Sequence, residues 1–264
     1  VVCMVLLDSL MVYNEKQNVH CAEETQQGKG CIMKPSELIR AYADAWRAAT
    51  HHPFLQGVYD GTLKPALFTT WFVQDYLFVR DEFVAVAHLL TRAPRSAYKV
   101  LTEMLVSTEA EISWFEEHVK EQHLSLDTSL LPATESYREF FRNLEQLPYP
   151  VVITMFWAVE RAYLDAWSNA AYGDPRYRAF VEHWANEDFG RFVQELEQLA
   201  EQAQIGSGEY DPLTAALFQQ VASLEHDFWE MAYSSLDIAT GAETSGELRE
   251  EEENPQTPPQ QDAP

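Results

Sequence analysis

The chain reads as a single-domain all-α helical bundle, on three observations. From about Ser36 to Tyr233 apolar residues recur at three- and four-residue spacing, the period of a helix face. Only ten glycines occur in 264 residues, and a 46% hydrophobic fraction suits long helices better than a many-turned sheet. Strand signals are absent, and the breaks between periodic segments are short, as in bundles. The region is long enough to close over a large core of its own.

Seven or eight helices are expected. Pro35-Ser36 followed by Leu38, Ile39, Tyr42 and Trp46 starts a first helix that runs to about Thr50, where His51-His52-Pro53 breaks it. Val58-Tyr59-Asp60-Gly61-Thr62 reads as a turn, and Lys64-Pro65 opens a long helix through Leu90. Ala93-Pro94-Arg95 ends that helix, and Ser96 to Gln122 forms another with Val100, Met104, Ile112 and Phe115 inward. Thr134 to Leu147 gives a short helix, and Tyr149-Pro150 begins a strongly apolar one reaching Ala171. Tyr172-Gly173-Asp174-Pro175 is a turn, Arg176 to Ala203 forms one or two helices, and Pro212 to about Ser234 forms the last.

Three zones follow: an unstructured leader or non-native extension over 1–33, a helical domain over 34–235, and a disordered tail over 236–264. The tail is rich in Glu, Gln and Pro, including Glu250-Glu251-Glu252-Glu253 and Pro258-Pro259. The opening Val1-Val2-Cys3-Met4-Val5-Leu6-Leu7 is too short to span a bilayer and follows no basic region.

The net charge of −24, from 42 acidic and 18 basic residues, argues against nucleic acid and anionic membranes as partners. Cys3, Cys21 and Cys31 are the only cysteines, so the helical body offers no thiol nucleophile, disulfide or Cys-ligated metal. A cytoplasmic localisation is the expectation, with an organelle as the alternative.

Three lone carboxylates stand on apolar faces of three separate helices. Trp71, Asp75 and Phe78 share one face; Ile153, Phe156, Glu160, Tyr163 and Trp167 share another; Leu217, Val221, Glu225 and Phe228 share a third. A carboxylate on such a face loses solvation unless it is paired or used. If the faces converge, they enclose an apolar pocket furnished with acid/base groups, as a small-molecule enzyme needs. The structural alternatives are a cap for Asp75, or pairing of any of the three with Arg or Lys.

Several segments, in order, resemble the TenA/thiaminase II family. They are His52-Pro53-Phe54 with Gly61-Thr62-Leu63, Trp71-Phe72-Val73-Gln74-Asp75-Tyr76-Leu77, and Glu225-His226-Asp227-Phe228-Trp229. Tyr149-Pro150-Val151-Val152-Ile153-Thr154-Met155-Phe156-Trp157-Ala158-Val159-Glu160, with Glu111-Ile112-Ser113-Trp114-Phe115, is similar to the TenA-E branch, which lacks the catalytic Cys of other members. The resemblance implies a haem-oxygenase-like helical bundle and an aminopyrimidine aminohydrolase of thiamine salvage. Such an enzyme hydrolyses aminomethyl- or formylaminomethyl-pyrimidine to hydroxymethylpyrimidine, with no metal or organic cofactor. With no thiol in the body, cleavage of thiamine itself is not expected.

By the same resemblance, Asp75 matches the family's substrate-binding Asp and would make a paired hydrogen bond to the aminopyrimidine edge. Glu225 matches the family's acid/base Glu. Glu160, projecting from the helix that carries the Cys in other members, would activate water directly. Phe78, Tyr137, Tyr163, Trp184 and Phe228 are candidates for holding the ring, with core packing as the alternative for each. Phe78 and Trp184 stand where Cys-type members have Tyr.

The histidines have no metal-ligand spacing, and surface or capping roles are expected for them. Two rival readings stand beside the hydrolase. One is a di-metal oxidase on the same fold using Glu82, Glu111, Glu160, His183, Glu187 and His226. The other is a pyrimidine-binding protein without turnover. Bundles of this size with an apolar outer helix often form a homodimer, and the sequence leaves this open.

Overall fold

The computed structural model describes residues 34–204 and 212–244, with side chains in the last helix through 235. The expected leader over 1–33, and the expected tail from 245 onward, lie outside the described residues. Ten α-helices are described: α1 (Pro35–Ala41), α2 (Ala43–Thr50), α3 (Pro53–Asp60), α4 (Pro65–Leu90), α5 (Tyr98–Glu121), α6 (Pro132–Leu144), α7 (Tyr149–Asn169), α8 (Arg178–Trp184), α9 (Glu187–Ala203) and α10 (Pro212–Thr244). A 3₁₀ turn at Arg95–Ala97 leads into α5, and no strand occurs among the described residues.

Proline begins much of this architecture. Its fixed φ and missing N–H suit the first turn of a helix, and it occupies that turn in α1, α3, α4, α6 and α7. This also explains a correction. His51-His52-Pro53 does break a helix, but Pro53 immediately starts α3, with the His52 ring accepting from Phe54 N–H at 3.1 Å as its cap. The first expected helix is two, because Tyr42 leaves helical geometry at φ −119°, ψ 40°. Helix α3 stops at Gly61, whose φ of +75° is a left-handed cap that glycine adopts freely. Helix α10 continues past Ser234 to Thr244, into the stretch whose composition reads as tail.

Helix α10 packs on α2, α4, α6 and α7, while α5 and α6 pack on α4, and α9 packs on α7. Helices α4 and α7 lie across the interior from each other and meet through side chains. Their middles are buried all round: Trp71 to Val79 in α4 and Val151 to Glu160 in α7. A helix without a solvent face in its middle has nowhere to turn a polar residue outward. The interior is aromatic, with Trp71, Trp157, Trp167, Trp229, Tyr137 and Phe156 fully enclosed. Gln74 ties the segment before α6 to α4: its side chain accepts from Leu131 N–H (2.9 Å) and Thr134 Oγ1 (2.7 Å) and donates to Ser129 O (3.1 Å).

Candidate active site

The three faces carrying lone carboxylates do converge. Asp75 of α4 is 1% exposed and accepts a 2.6 Å hydrogen bond from the Tyr163 hydroxyl of α7. Glu225 of α10 is 4% exposed and accepts from the Tyr137 hydroxyl of α6. Glu160 of α7 is buried, beside Glu82 of α4. Glu111 of α5 accepts from Trp184 Nε1 at 2.7 Å. Five acids from four helices thus share one interior.

No Lys, Arg or His forms an ion pair with any of the five among the described residues. Two neighbouring guanidiniums are engaged elsewhere: Arg161 with Asp165 and Arg138 with Asp81, each at 2.8 Å. The expected structural alternative, a buried acid paired with Arg or Lys, is therefore not what holds these residues.

Burial without a cation sets their protonation. Removal from water is the largest effect on each and favours the neutral form. It pushes Glu225 up to about 8 against the pull of its Tyr137 bond, and Glu111 to about 7 against the Trp184 bond. Glu160 rises to about 8, with the charges of Glu111 and Glu225 adding to burial. Asp75 and Glu82 lie well above the ordinary carboxylate range, for burial first and acidic neighbours second. Tyr137 and Tyr163 are likewise driven upward by burial, so both hydroxyls remain donors. Acids held near neutrality can give or take a proton at little cost, which is what acid/base chemistry requires.

Aromatic rings enclose the acids in two sets. Phe78 lies edge-on to Tyr137 (4.8 Å between centroids) and Phe228 (5.8 Å), around Glu225. Tyr163 stacks on Trp229 and meets Trp184 edge-on, and Trp184 stacks on Trp167 at 5.1 Å, near Asp75. The structure therefore gathers all eight residues singled out in the sequence: Asp75, Phe78, Tyr137, Glu160, Tyr163, Trp184, Glu225 and Phe228. A cavity of about 440 Å³ reaches Glu111, Glu160 and Trp184 from between α5, α8 and α9. On its wall His183 stacks on Trp114, 4.2 Å apart at 12°, and burial lowers its pKa to about 4, leaving the ring neutral.

Glu82 and Glu111 belong to the acid group, but the sequence assigns them no part in the hydrolase: Glu82 stands only among the ligands of the rival metal site, and Glu111 there and in the segment similar to the TenA-E branch. One signal pointed to Glu82: it stands seven residues after Asp75, two turns along the same face. The metal arrangement itself does not form. Glu187 is exposed, His183 is stacked on Trp114, and His226 pairs with Asp227 at 3.1 Å. Among the described residues no three His, Cys, Asp or Glu could hold a metal ion. His52, as expected for these histidines, caps a helix and contacts Glu230 at 3.0 Å.

Residues 39–235 match the model of the TENA/THI-4/PQQC family. The chain belongs to this family. A probable bifunctional TENA-E protein of Glycine max is 31% identical over 201 residues, 71% of this chain and 87% of that protein. An aminopyrimidine aminohydrolase of Halalkalibacterium halodurans is 22% identical over 223 residues, 72% of this chain and 90% of that one. Among solved structures, a TenA homologue from Pyrococcus furiosus superposes with a TM-score of 0.71 at 25% identity, covering 76% of this chain and all of that one. The fold is thus the all-helical TenA, haem-oxygenase-like bundle. No described helix is long and apolar enough to cross a membrane.

Proposed function

We propose that this TenA-family chain is an aminopyrimidine aminohydrolase of thiamine salvage. It takes an aminomethyl- or formylaminomethyl-pyrimidine to hydroxymethylpyrimidine. One observation carries the reading: five acids share an aromatic interior without a cation, three of them raised to between about 7 and about 8. A weakly basic, flat aminopyrimidine complements such a site, because a carboxyl that loses its proton to the ring finds its counter-ion in the ligand. The TENA-E and aminopyrimidine aminohydrolase relatives support the same reaction class.

In this reading Asp75, held by Tyr163, pairs with the ring nitrogen and exocyclic amine. Phe78, Tyr137, Tyr163, Trp184 and Phe228 hold the ring. Glu160, in the fraction that is ionised near neutral pH, takes a proton from water as the water oxygen bonds the carbon that carries the leaving group. Glu225, protonated at neutral pH, gives its proton to the departing nitrogen as the C–N bond breaks. The proton gained by Glu160 then replaces the one lost by Glu225, and the cycle closes without a redox step. The expected inability to cleave thiamine rests on the three cysteines lying at positions 3, 21 and 31.

Release of ammonia from aminomethylpyrimidine tests this step, with wild type, Glu225→Gln and Glu160→Gln, and thiamine as control. Formate from the formylaminomethyl substrate reports a preceding hydrolysis in which water attacks the formyl carbon and leaves aminomethylpyrimidine. A fall of a hundredfold or more in kcat for Glu225→Gln, with thiamine untouched by any form, is expected. Wild-type activity in Glu225→Gln would remove that residue from the mechanism.

A further inference from the structure

Glu82 is 5% exposed, yet its Oε1 has no hydrogen-bond partner among the described residues. A buried carboxyl with an unsatisfied oxygen lowers stability, and packing alone would be better served by an apolar side chain. The groups whose charges act on it, or on which its charge acts, are acidic or phenolic. They are Asp75 on its own helix, Glu111 of α5, Tyr137 of α6 and Glu160 of α7. The guanidinium beside the neighbouring Asp81, that of Arg138 of α6, is taken up by Asp81 and Glu135. The carboxyls of Glu82 and Glu160 lie within hydrogen-bonding reach of each other across the space between α4 and α7. Glu160 in turn lines the cavity that reaches the site from outside, whereas Glu82 does not line it.

We propose that Glu82 is a positioning residue of the hydrolytic reaction: as a carboxylic acid it donates a hydrogen bond to one oxygen of Glu160, favouring the ionised form of Glu160 and leaving its other oxygen aimed at the attacking water. This rests on the hydrolase reading above. In the step itself Glu160 gains the proton of water and Glu82 keeps its own, so Glu82 never exchanges atoms with substrate. The arrangement resembles other carboxyl pairs that share one proton because two buried charges at contact cannot both ionise. It gives a purpose to an acid that would otherwise only destabilise α4.

The test compares wild type, Glu82→Gln and Glu82→Met by the pH profile of kcat and KM for ammonia release from aminomethylpyrimidine, alongside urea unfolding. Methionine removes the donor, so the acidic limb of kcat moves upward by about one pH unit and kcat at pH 7 falls about tenfold or more, with KM nearly unchanged. Glutamine still donates through its amide and restores the limb and rate to within a few-fold of wild type. Both variants unfold at wild-type urea concentration or above. A wild-type profile in Glu82→Met, beside an active wild type, overturns the assignment to Glu82 alone. Equal loss of activity and stability in both variants also overturns it, in favour of a structural role. A folded wild type with no turnover on any aminopyrimidine overturns the hydrolase reading and this inference together.

Discussion

Replacing Glu225 with glutamine should change how stability depends on pH, and should do so in a calculable direction. In the folded protein Glu225 keeps its proton up to about pH 8 because it is buried, whereas an unfolded glutamate releases it near 4.5. Between those values the unfolded chain binds fewer protons than the folded one, so stability falls as pH rises. One proton of difference is worth about 1.4 kcal/mol per pH unit, hence about 3 kcal/mol between pH 5.5 and 7.5 from this residue. Glutamine is the same size, cannot ionise, and can still accept from Tyr137. Urea unfolding of both proteins at the two pH values measures the difference. Wild type should lose about 2–3 kcal/mol more than Glu225→Gln, part of the effect being absorbed by neighbouring acids that titrate more freely once Glu225 is gone. Equal losses would refute the claim that Glu225 is buried in protonated form.

Three further outcomes follow from named contacts. Tyr163→Phe removes the 2.6 Å bond to Asp75 and should raise KM for the aminopyrimidine about tenfold while sparing the fold, as steady-state kinetics and circular dichroism would report. Trp184→Phe keeps an aromatic ring but deletes the indole donor to Glu111, so the Glu111 carboxyl should titrate above its present value of about 7 in a carbon-13 NMR titration. Gln74→Ala leaves Leu131 N–H and Thr134 Oγ1 without their acceptor and should cost about 2–4 kcal/mol in urea unfolding.

Much of the site was legible because a buried acid interrupts a helical face in a way that can be read directly. Asp75 lies between Trp71 and Phe78, Glu160 between Phe156 and Tyr163, and Glu225 between Val221 and Phe228, and in each case the spacing assigns one face. Helix starts at Pro65 and Tyr149-Pro150 were legible for the same local reason. Glu82 was not, because Arg80 is exposed and Asp81 forms an ion pair, so the run reads as a solvated face until the packing of α6 and α7 encloses its third member. Glu111 hides similarly, two residues from the exposed Glu109, and only the bond from Trp184 draws it inward. The helix at Pro53–Asp60 escapes the local pattern because Pro53 both ends one helix and begins the next. For Glu82 and Glu111 the cause is common: tertiary packing, not the local run of residues, decides which acid is drawn into the site.

Whether this acid-lined interior hydrolyses an aminopyrimidine is decided by a mass balance on wild-type protein. Aminomethylpyrimidine is incubated at pH 7.5, and ammonia and hydroxymethylpyrimidine are quantified together over time. One molecule of ammonia for each molecule of alcohol, at many turnovers per protein, is the predicted result. Folded protein that binds the pyrimidine but releases no ammonia would contradict the account and leave a binding protein in its place.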